Sequence, residues 1–320
     1  MQHGGPQEGM ALLTVLWAVA ILALISAVVT TATRTEINRT RNHVESAKAE
    51  ALADAGVYRA IAELLVRETD SRPLMDGTLY RWRFADAEIL VAIQSEVGKI
   101  DLNTATDELL DGLFVSVGIA GSAAKRLVAT IRDFADENDE RRPLGAEDAD
   151  YRAAGLSAGA KDRPFESVRE LQQVIGVTPE LYRRVAPALT VYSHTQSIDR
   201  TTAPVSALLA MPGATQRQVD DLIAERQAAR ARDSMRPQGG LELVGNPAEA
   251  ADVVEMAARS EAPRAASRQY SVFTVRSEAR TPGGGTFARV AVVRLTNDEA
   301  NPFVFLEWHQ GWAAAGAASD

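Results

Sequence analysis

The first long pattern in the chain is an apolar run without a charged side chain, from Met10 to Thr33. At about 1.5 Å per residue, this run forms a helix about 36 Å long, which is enough to cross a hydrocarbon core of about 30 Å. A cleaved secretory signal is the alternative, but its apolar region is only about 7–15 residues long and ends in a small-residue cleavage site. The sequence therefore predicts a transmembrane helix over 10–33.

The helical pattern continues through a charged stretch, 35–68, directly after Arg34. Apolar residues recur in it at intervals of three and four, which is typical of an amphipathic helix that packs through an apolar stripe. The recurring residues are Val44, Ala47, Ala51, Ala55, Tyr58, Ala62 and Leu65. We expect the apolar run and this stem to form one long rod.

Two groups of strands are predicted, one on each side of a long helical stretch. Alternating or continuous apolar residues indicate them, and they are expected over 79–84, 88–96, 270–275, 287–294 and 303–308. A proline and three glycines over 281–285 predict a hairpin turn. A phosphate-binding loop is the alternative for these glycines, but no Lys follows them and no helix begins there.

The stretch between the strand groups, 99–266, is predicted to be helical throughout and contains an internal repeat. The segment 100–105, IDLNTA, returns as 198–203, IDRTTA, and each copy is followed by paired leucines, a glycine and a helical run. The glycines are Gly118 and Gly213, and Gly176 lies in a similar setting. Helix, glycine turn and helix is the helix-hairpin-helix pattern, so we expect two such repeats, at about 99–194 and 195–266.

The charge of the chain weighs against nucleic acid as a partner. In DNA-binding versions of this pattern, the turn presents backbone N–H groups and basic side chains to a phosphate. Here 34 Lys and Arg face 43 Asp and Glu, with a net charge of −9, and Asp220 and Asp221 lie beside the second turn. We therefore favour protein packing over DNA binding for these turns.

Chemistry at a catalytic site is not predicted. The chain has no cysteine, which excludes disulfides and thiolate chemistry, and its four histidines are scattered singly. The sequence contains no nucleophile elbow, zinc motif or dinucleotide fingerprint. Pairs of carboxylates are expected on an acidic surface, so they do not by themselves indicate a hydrolase. We expect no enzyme activity.

A short polar leader, residues 1–9, precedes the apolar run and ends in Gly9. Such a leader, followed by Met10 and an apolar helix that continues into an amphipathic one, resembles type IV prepilins and type II secretion pseudopilins. The resemblance implies cleavage by a prepilin peptidase between Gly9 and Met10 and methylation of the new amino terminus. It also implies Glu at the fifth mature position, where Thr14 stands here. Members called K typically lack that Glu. The leader differs from the usual pattern in having no Lys or Arg.

Four segments of the helical stretch look like the inserted domain of the type II secretion system protein K family: 99–105, 145–148, 164–171 and 189–193. With the anchor, the resemblance implies an α+β fold in which a long N-terminal helix packs on an antiparallel pilin-like sheet. That unit comprises 34–98 and 267–320, and an all-α insertion, helix-hairpin-helix-like or SAM-like, interrupts it over 99–266. The resemblance implies a single-pass inner-membrane protein with most of the chain in the periplasm.

By the same resemblance, the chain is expected to be a minor pseudopilin that initiates or forms the tip of the pseudopilus, with the minor pseudopilins I, J and H as partners. An insertion of this size on one face would collide with a subunit stacked above it, which favours the tip. A membrane-anchored helix-hairpin-helix DNA-binding protein of a competence or type IV pilus system is the alternative. A salt-dependent DNA-binding assay distinguishes the two.

The richest polar cluster lies within 133–150. Many carboxylates on one irregular loop suit Ca²⁺, which takes six to eight oxygen ligands and tolerates loose geometry. The loop is not an EF-hand, because the required glycine and terminal Glu spacing are absent. A solvated acidic loop balanced by Arg141 and Arg142 is the alternative. The protein K resemblance implies structural calcium in this domain, and the expected ligands are Asp133, Asp136, Asn138, Glu140, Glu147 and Asp148.

Overall fold

The computed structural model describes residues 8–65, 73–234 and 272–311. The helices are α1 (Glu8–Leu65), α2 (Asp107–Ser116), α3 (Ser122–Ala135), α4 (Asp148–Ala153), α5 (Pro179–Val185), α6 (Val205–Leu209) and α7 (Gln216–Ser234). The strands are β1 (Asp76–Phe84), β2 (Ala87–Ser95), β3 (Ile100–Asp101), β4 (Leu189–Thr190), β5 (Val272–Arg280), β6 (Thr286–Leu295) and β7 (Phe303–Gln310). Most of the predicted leader, the start of the predicted strand at 270–271 and the end of the predicted insertion lie outside the described residues.

The two predicted groups of strands form one antiparallel sheet with the order β1-β2-β5-β6-β7. Strand β2, which precedes the insertion, pairs with β5, which follows it, from Glu88 opposite Arg280 to Ser95 opposite Phe273. The predicted hairpin turn joins β5 to β6, with Gly284 at a φ of 87°. A long helix on an antiparallel sheet that is split by an insertion is therefore confirmed.

Helix α1 packs on this sheet through a face other than the predicted stripe. Its buried residues are Ala49, Ala53, Gly56, Val57, Ala60, Ile61, Ala62 and Leu64. Of the predicted stripe only Ala62 is among them, whereas Val44 is 49% exposed and Tyr58 is 36% exposed. The stripe does not mark the packing face because α1 carries larger apolar side chains, Val57, Ile61 and Leu64, on another side, and burying that side removes more apolar area from water.

Polar contacts hold α1 in one rotational position on the sheet. Arg289 of β6 is 8% exposed, and its Nε donates to Asp54 Oδ1 at 2.6 Å. A terminal nitrogen of the same guanidinium donates to Glu50 Oε1 at 2.8 Å. Near the β5–β6 turn, the Thr281 hydroxyl donates to Glu45 Oε2 at 2.7 Å. Since Glu45, Glu50 and Asp54 span several turns of α1, these contacts fix both its rotation and its register.

Replacing Gly56 by alanine is expected to destabilise the helix–sheet unit by about 1–3 kcal/mol, through overpacking. A Cβ on Gly56 would lie 2.1 Å from Ser277 Oγ and 2.9 Å from Ile89 Cγ2. In a helix without such close neighbours, the same change stabilises by about 1 kcal/mol. The sign of the change in stability therefore shows whether Gly56 is needed for close packing. Thermal unfolding of the variant measures it, and a melting temperature at or above that of the parent contradicts the prediction.

A second substitution provides the control for Gly56→Ala. The hydroxyl of Ser277 is buried and has no hydrogen-bond partner among the described residues. Ser277→Ala removes that oxygen and is expected to be neutral or stabilising, because an unsatisfied buried hydroxyl is unfavourable. The double variant should therefore recover part of the loss caused by Gly56→Ala.

The insertion leaves the sheet after β2, and besides the hydrogen bond from Gln94 Nε2 to the Thr202 carbonyl, at 2.8 Å, it is held against the sheet at two places. At the first, Glu96 is 2% exposed and accepts hydrogen bonds from Lys99 Nζ and the Thr274 hydroxyl, both at 2.6 Å. At the second, the Tyr192 hydroxyl donates to Glu307 Oε1 of β7 at 2.6 Å. The insertion is thus attached to the sheet by buried polar contacts as well as by the chain itself.

The insertion is mostly helical, but the prediction of helix throughout was wrong. Strands β3 and β4 form a short parallel pair, Ile100 with Leu189 and Asp101 with Thr190. Short stretches of 3₁₀ helix and irregular loops join the helices. One apolar core holds these parts together, and it includes Leu110, Phe114 and Leu171.

The described apolar side chains in the first half of α1 are exposed. Leu16 is 71% exposed, Trp17 is 64% exposed and Leu24 is 66% exposed. Within the described residues, no helix meets the combined length and apolar character that crossing a membrane requires. The transmembrane helix over 10–33 stays a prediction.

Candidate metal centre in the helical insertion

The internal repeat seen in the sequence is also a repeat of backbone geometry. Asp101 Oδ1 accepts a hydrogen bond from the N–H of Asn103 at 2.9 Å, and Asp199 Oδ1 accepts one from the N–H of Thr201 at 2.9 Å. In each copy the Asp carbonyl also accepts the N–H of the residue four positions later. A helix then follows, and the turn after it contains a glycine with positive φ, 85° at Gly118 and 75° at Gly213.

Two arginines that the sequence analysis did not single out complete the repeat. Arg132 of α3 donates to the carbonyl oxygens of Leu102, at 3.1 Å, and of Ala105. Arg226 of α7 donates to those of Arg200 and of Ala203, the latter at 2.8 Å. These acceptors occupy the same positions in IDLNTA and IDRTTA. Each arginine therefore ties the second helix of its copy to the segment that begins the copy.

Three carboxylates converge next to the first copy, beyond the end of α3. They belong to Asp139 in the acidic loop, Glu147 at the start of α4 and Asp162 in the loop after α4, and one oxygen of each lies within 4.8 Å of the others. Glu147 is only 6% exposed, and neither of its carboxylate oxygens has a hydrogen-bond partner in the described part of the chain. A buried, unpaired carboxylate is costly, so this site favours a proton or a cation.

The raised pKa values of Glu147 and Asp162 also indicate a site that favours a proton or a cation. Burial, followed by the negative charges of Asp133, Asp136, Asp162 and Asp139, raises the pKa of Glu147 from 4.5 to about 7. Burial also raises the pKa of Asp162, with the charge of Asp139 as the next cause. These carboxylates therefore repel one another, as expected for oxygen ligands assembled without a cation.

The structure places only Glu147 of the six predicted ligands in this group of three. Asp133 is buried nearby and accepts the N–H of Arg142 at 3.2 Å, and Nε of Arg142 lies 3.7 Å from Asp136 Oδ2. Asp148 accepts the N–H of Ala160 at 3.2 Å and pairs with a terminal nitrogen of Arg152 at 2.9 Å.

The remaining predicted ligands, Asn138 and Glu140, lie on the exposed part of the acidic loop. The Asn138 side-chain oxygen accepts the N–H of Glu140 at 2.9 Å. Asp139, between them, joins the three carboxylates instead. The acidic loop therefore does contribute to the group of three carboxylates, but through Asp139 and not through Asn138 or Glu140.

Sequence reasoning missed Asp139 and Asp162. Asp139 was part of the acidic run but was not ranked above its neighbours, since a run of charges does not show which side chains turn inward. Asp162 lies outside the run. It reaches the site because the carbonyl of Phe134 accepts the N–H groups of Lys161, at 2.9 Å, and Asp162, at 3.2 Å. These two hydrogen bonds hold the loop after α4 against the end of α3.

A family model described as type II secretion system protein K matches residues 90–194, which include β3, α2, α3 and all three carboxylates. The putative type II secretion system protein K of Escherichia coli (strain K12) is 26% identical over 209 residues, covering 59% of this chain and 64% of that protein. Over residues 90–194 the chain is therefore similar to the type II secretion system protein K family. The resemblance seen in the sequence is thereby confirmed.

Further members and one solved structure extend the comparison. The type II secretion system protein K of Pectobacterium carotovorum subsp. carotovorum is 25% identical over 249 residues, covering 69% of this chain and 75% of that protein. A chain in the crystal structure of the GspK-GspI-GspJ complex from enterotoxigenic Escherichia coli is 19% identical, with a TM-score of 0.51. That likeness covers 88% of this chain and 99% of the other, and it establishes a shared fold.

In the presence of a chelator, the stability of the protein is expected to fall as the pH rises from about 4.5 to about 7. The folded protein holds a proton on Glu147 until the pH reaches its raised pKa of about 7, whereas the unfolded chain releases it near 4.5. The contribution of this proton to the free energy of unfolding is therefore complete below pH 4.5 and is lost as the pH passes 7. It amounts to about 3 kcal/mol.

The measurement is thermal unfolding of the parent and of Glu147→Gln at several pH values. Other carboxylates also titrate, so the difference between the two proteins isolates Glu147. Glu147→Gln is expected to lack this component and to be the more stable of the two at pH 8. Identical pH dependence in both proteins would contradict the assignment.

Proposed function

We propose that the chain is a minor pseudopilin of a type II secretion system and forms or initiates the tip of the periplasmic pseudopilus. The observation that carries the proposal is the position of the insertion, which separates β2 from β5 within a helix-on-sheet unit and whose first part, up to residue 194, lies in the region that the protein K family model matches. Its contacts through Glu96 and Tyr192 hold it on the sheet. A rigidly attached domain of this size leaves no room for a subunit stacked above.

The anchor of this pseudopilin is the helix over 10–33, which crosses the inner membrane once and leaves the rest of the chain in the periplasm. The uncharged run in the sequence and the high exposure of Leu16 and Leu24 support this. A prepilin peptidase cleaves between Gly9 and Met10, and the new terminus is methylated. Thr14 provides no carboxylate for a neighbour's terminal amine, which suits a subunit with no neighbour above it.

The proposed partners are the minor pseudopilins I and J, with H as a further one. Support comes from the chain of similar fold, which was solved in a GspK-GspI-GspJ complex. The protein assembles with these partners at the tip, and this function requires no catalysis. The repeats of Asp101 and Asp199 are helix-hairpin-helix-like or SAM-like units that serve protein packing.

Calcium is the proposed structural ion of the insertion, held by Asp139, Glu147 and Asp162. Oxygens within 4.8 Å of one another match a shared cation whose bonds to oxygen are about 2.3–2.6 Å long. The unpartnered Glu147 supplies the buried charge that a cation would neutralise. Of the other predicted ligands, Asp133, Asp136 and Asp148 act on this group through their negative charges, which raise the pKa of Glu147 or of Asp162.

The test of the tip assignment is site-specific cross-linking in cells that assemble the pseudopilus, with full-length protein and a variant lacking 99–266. Full-length protein is expected to cross-link to I and J at one end of the fibre only. The shortened protein is expected to enter the shaft, because the obstruction is gone. Cross-links of the full-length protein along the shaft as often as at the end would contradict the tip assignment.

A further inference from the structure

A pocket of about 230 Å³ opens beside the glycine turn in the second copy of the internal repeat. Its apolar lining consists of Leu208 of α6, Met211, and Val219 and Leu222 of α7. Leu208 and Val219 are buried, and Met211 and Leu222 are half-buried. The pocket is smaller than the roughly 300–1,000 Å³ of small-molecule sites. It therefore suits one apolar side chain of a partner better than a whole cofactor.

Two differences between the copies account for this pocket. Leu102 in IDLNTA is replaced by Arg200 in IDRTTA, and Ile119, which follows the first glycine turn, is replaced by Ala214 after the second. Leu102 is 1% exposed and Ile119 packs against the core of the insertion, whereas Arg200 and Ala214 line the pocket. The second copy therefore lacks two large apolar side chains that the first copy packs inside, and a space remains that a ligand can occupy.

Hydrogen-bond donors border the same space. Arg200 is the only charged residue among the described ones that line the pocket, and its guanidinium forms no ion pair within the described part of the chain. The N–H of Gly213 likewise has no acceptor among the described residues, whereas the equivalent N–H in the first copy, that of Gly118, donates to the carbonyl of Val115 at 2.9 Å. A guanidinium and an unused N–H beside an apolar pocket favour a carboxylate that is attached to an apolar group.

We propose that this pocket binds the C-terminal residue of another polypeptide, one that ends in an apolar side chain. The side chain enters the space between α6 and α7, and the terminal carboxylate pairs with Arg200 and the N–H of Gly213. A chain terminus carries both groups on one Cα, so both fit a pocket of this size. The pocket shares no residue with the three carboxylates of the candidate metal centre, so its binding does not depend on an ion there.

The test uses the full-length protein in lipid nanodiscs and a fluorescent hexapeptide that ends in leucine with a free carboxylate. Fluorescence anisotropy of the peptide measures its affinity. The same peptide with an amidated end is expected to bind at least about tenfold more weakly, because hydrogen bonds to a charged group are lost. Arg200→Leu is expected to cause a similar loss for the free carboxylate and to leave the affinity for the amidated peptide little changed.

A second variant tests the pocket itself. Ala214→Ile restores the side chain of the first copy and is expected to abolish binding of both peptides, because it fills the space. It is also expected to keep or raise the melting temperature, since filling a cavity adds packing contacts. Thermal unfolding checks this, and Arg200→Leu keeps the test valid if Ala214→Ile does not fold. The matched control is Arg217→Leu, at an exposed position of α7 outside the pocket lining, which is expected to bind as the parent does.

Several outcomes would overturn the inference. Equal affinity of the parent for the two peptides, or unchanged affinity of folded Arg200→Leu for the free carboxylate, would show that Arg200 holds no carboxylate. Unchanged binding in folded Ala214→Ile, an equal loss in Arg217→Leu, or no binding of either peptide by the parent would show that the pocket is not the site. Displacement of the peptide by octanoate at a lower concentration than by the unlabelled peptide would assign the pocket to a free fatty acid instead of a polypeptide.

Discussion

A Gly9→Leu variant is expected to accumulate wholly as the uncleaved precursor. By the pseudopilin resemblance, the peptidase acts at the membrane face and accepts only a very small residue before the cleaved bond. In the structure, Gly9 and Met10 both lie within α1.

Intact-mass spectrometry of membrane-extracted protein measures the effect. The parent should show a mature chain that begins at Met10, whereas Gly9→Leu should retain the whole leader. Gln7→Leu places the same side chain two residues earlier and is expected to be processed normally. A mature chain from Gly9→Leu would show that the leader has been assigned wrongly.

Removal of calcium from the full-length protein at pH 8 is expected to lower the melting temperature of the insertion. A ligand that binds only the folded state stabilises it by about 2.7 kcal/mol at a hundred times its dissociation constant. The buried charge of Glu147 adds to the effect, because without the cation that carboxylate has no partner among the described residues. Melting in millimolar Ca²⁺ and in excess chelator gives the difference directly.

Two variants distinguish the site found in the structure from the one expected from the sequence. Glu147→Gln is expected to abolish the calcium-dependent rise in melting temperature, since it removes the buried ligand charge. Glu140→Gln changes an exposed residue outside the group of three and is expected to keep most of it. A loss in Glu140→Gln with retention in Glu147→Gln would favour the exposed loop instead. No calcium dependence in the parent would reduce the cluster to an acidic surface.

Features that depend on neighbouring residues could be read from the sequence. The strands and the β5–β6 turn follow from local alternation and from residues such as Gly284 that adopt positive φ. The repeat was visible because IDLNTA and IDRTTA preserve the Asp whose side chain caps its own turn. In each of these cases, the interactions that determine the structure lie within a few positions of one another.

The tertiary structure decided which of several equivalent surfaces are used. The sequence established that α1 has an apolar stripe, but most of that stripe lies outside the contact with the sheet, because the side with Gly56, Val57 and Ile61 is buried there instead. The sequence likewise placed the acidic loop. The convergence of Asp139 and Glu147 with Asp162 depends on the Phe134 carbonyl, which fastens a distant loop. Local patterns determine which elements form, while steric fit and long-range hydrogen bonds determine which of their side chains meet.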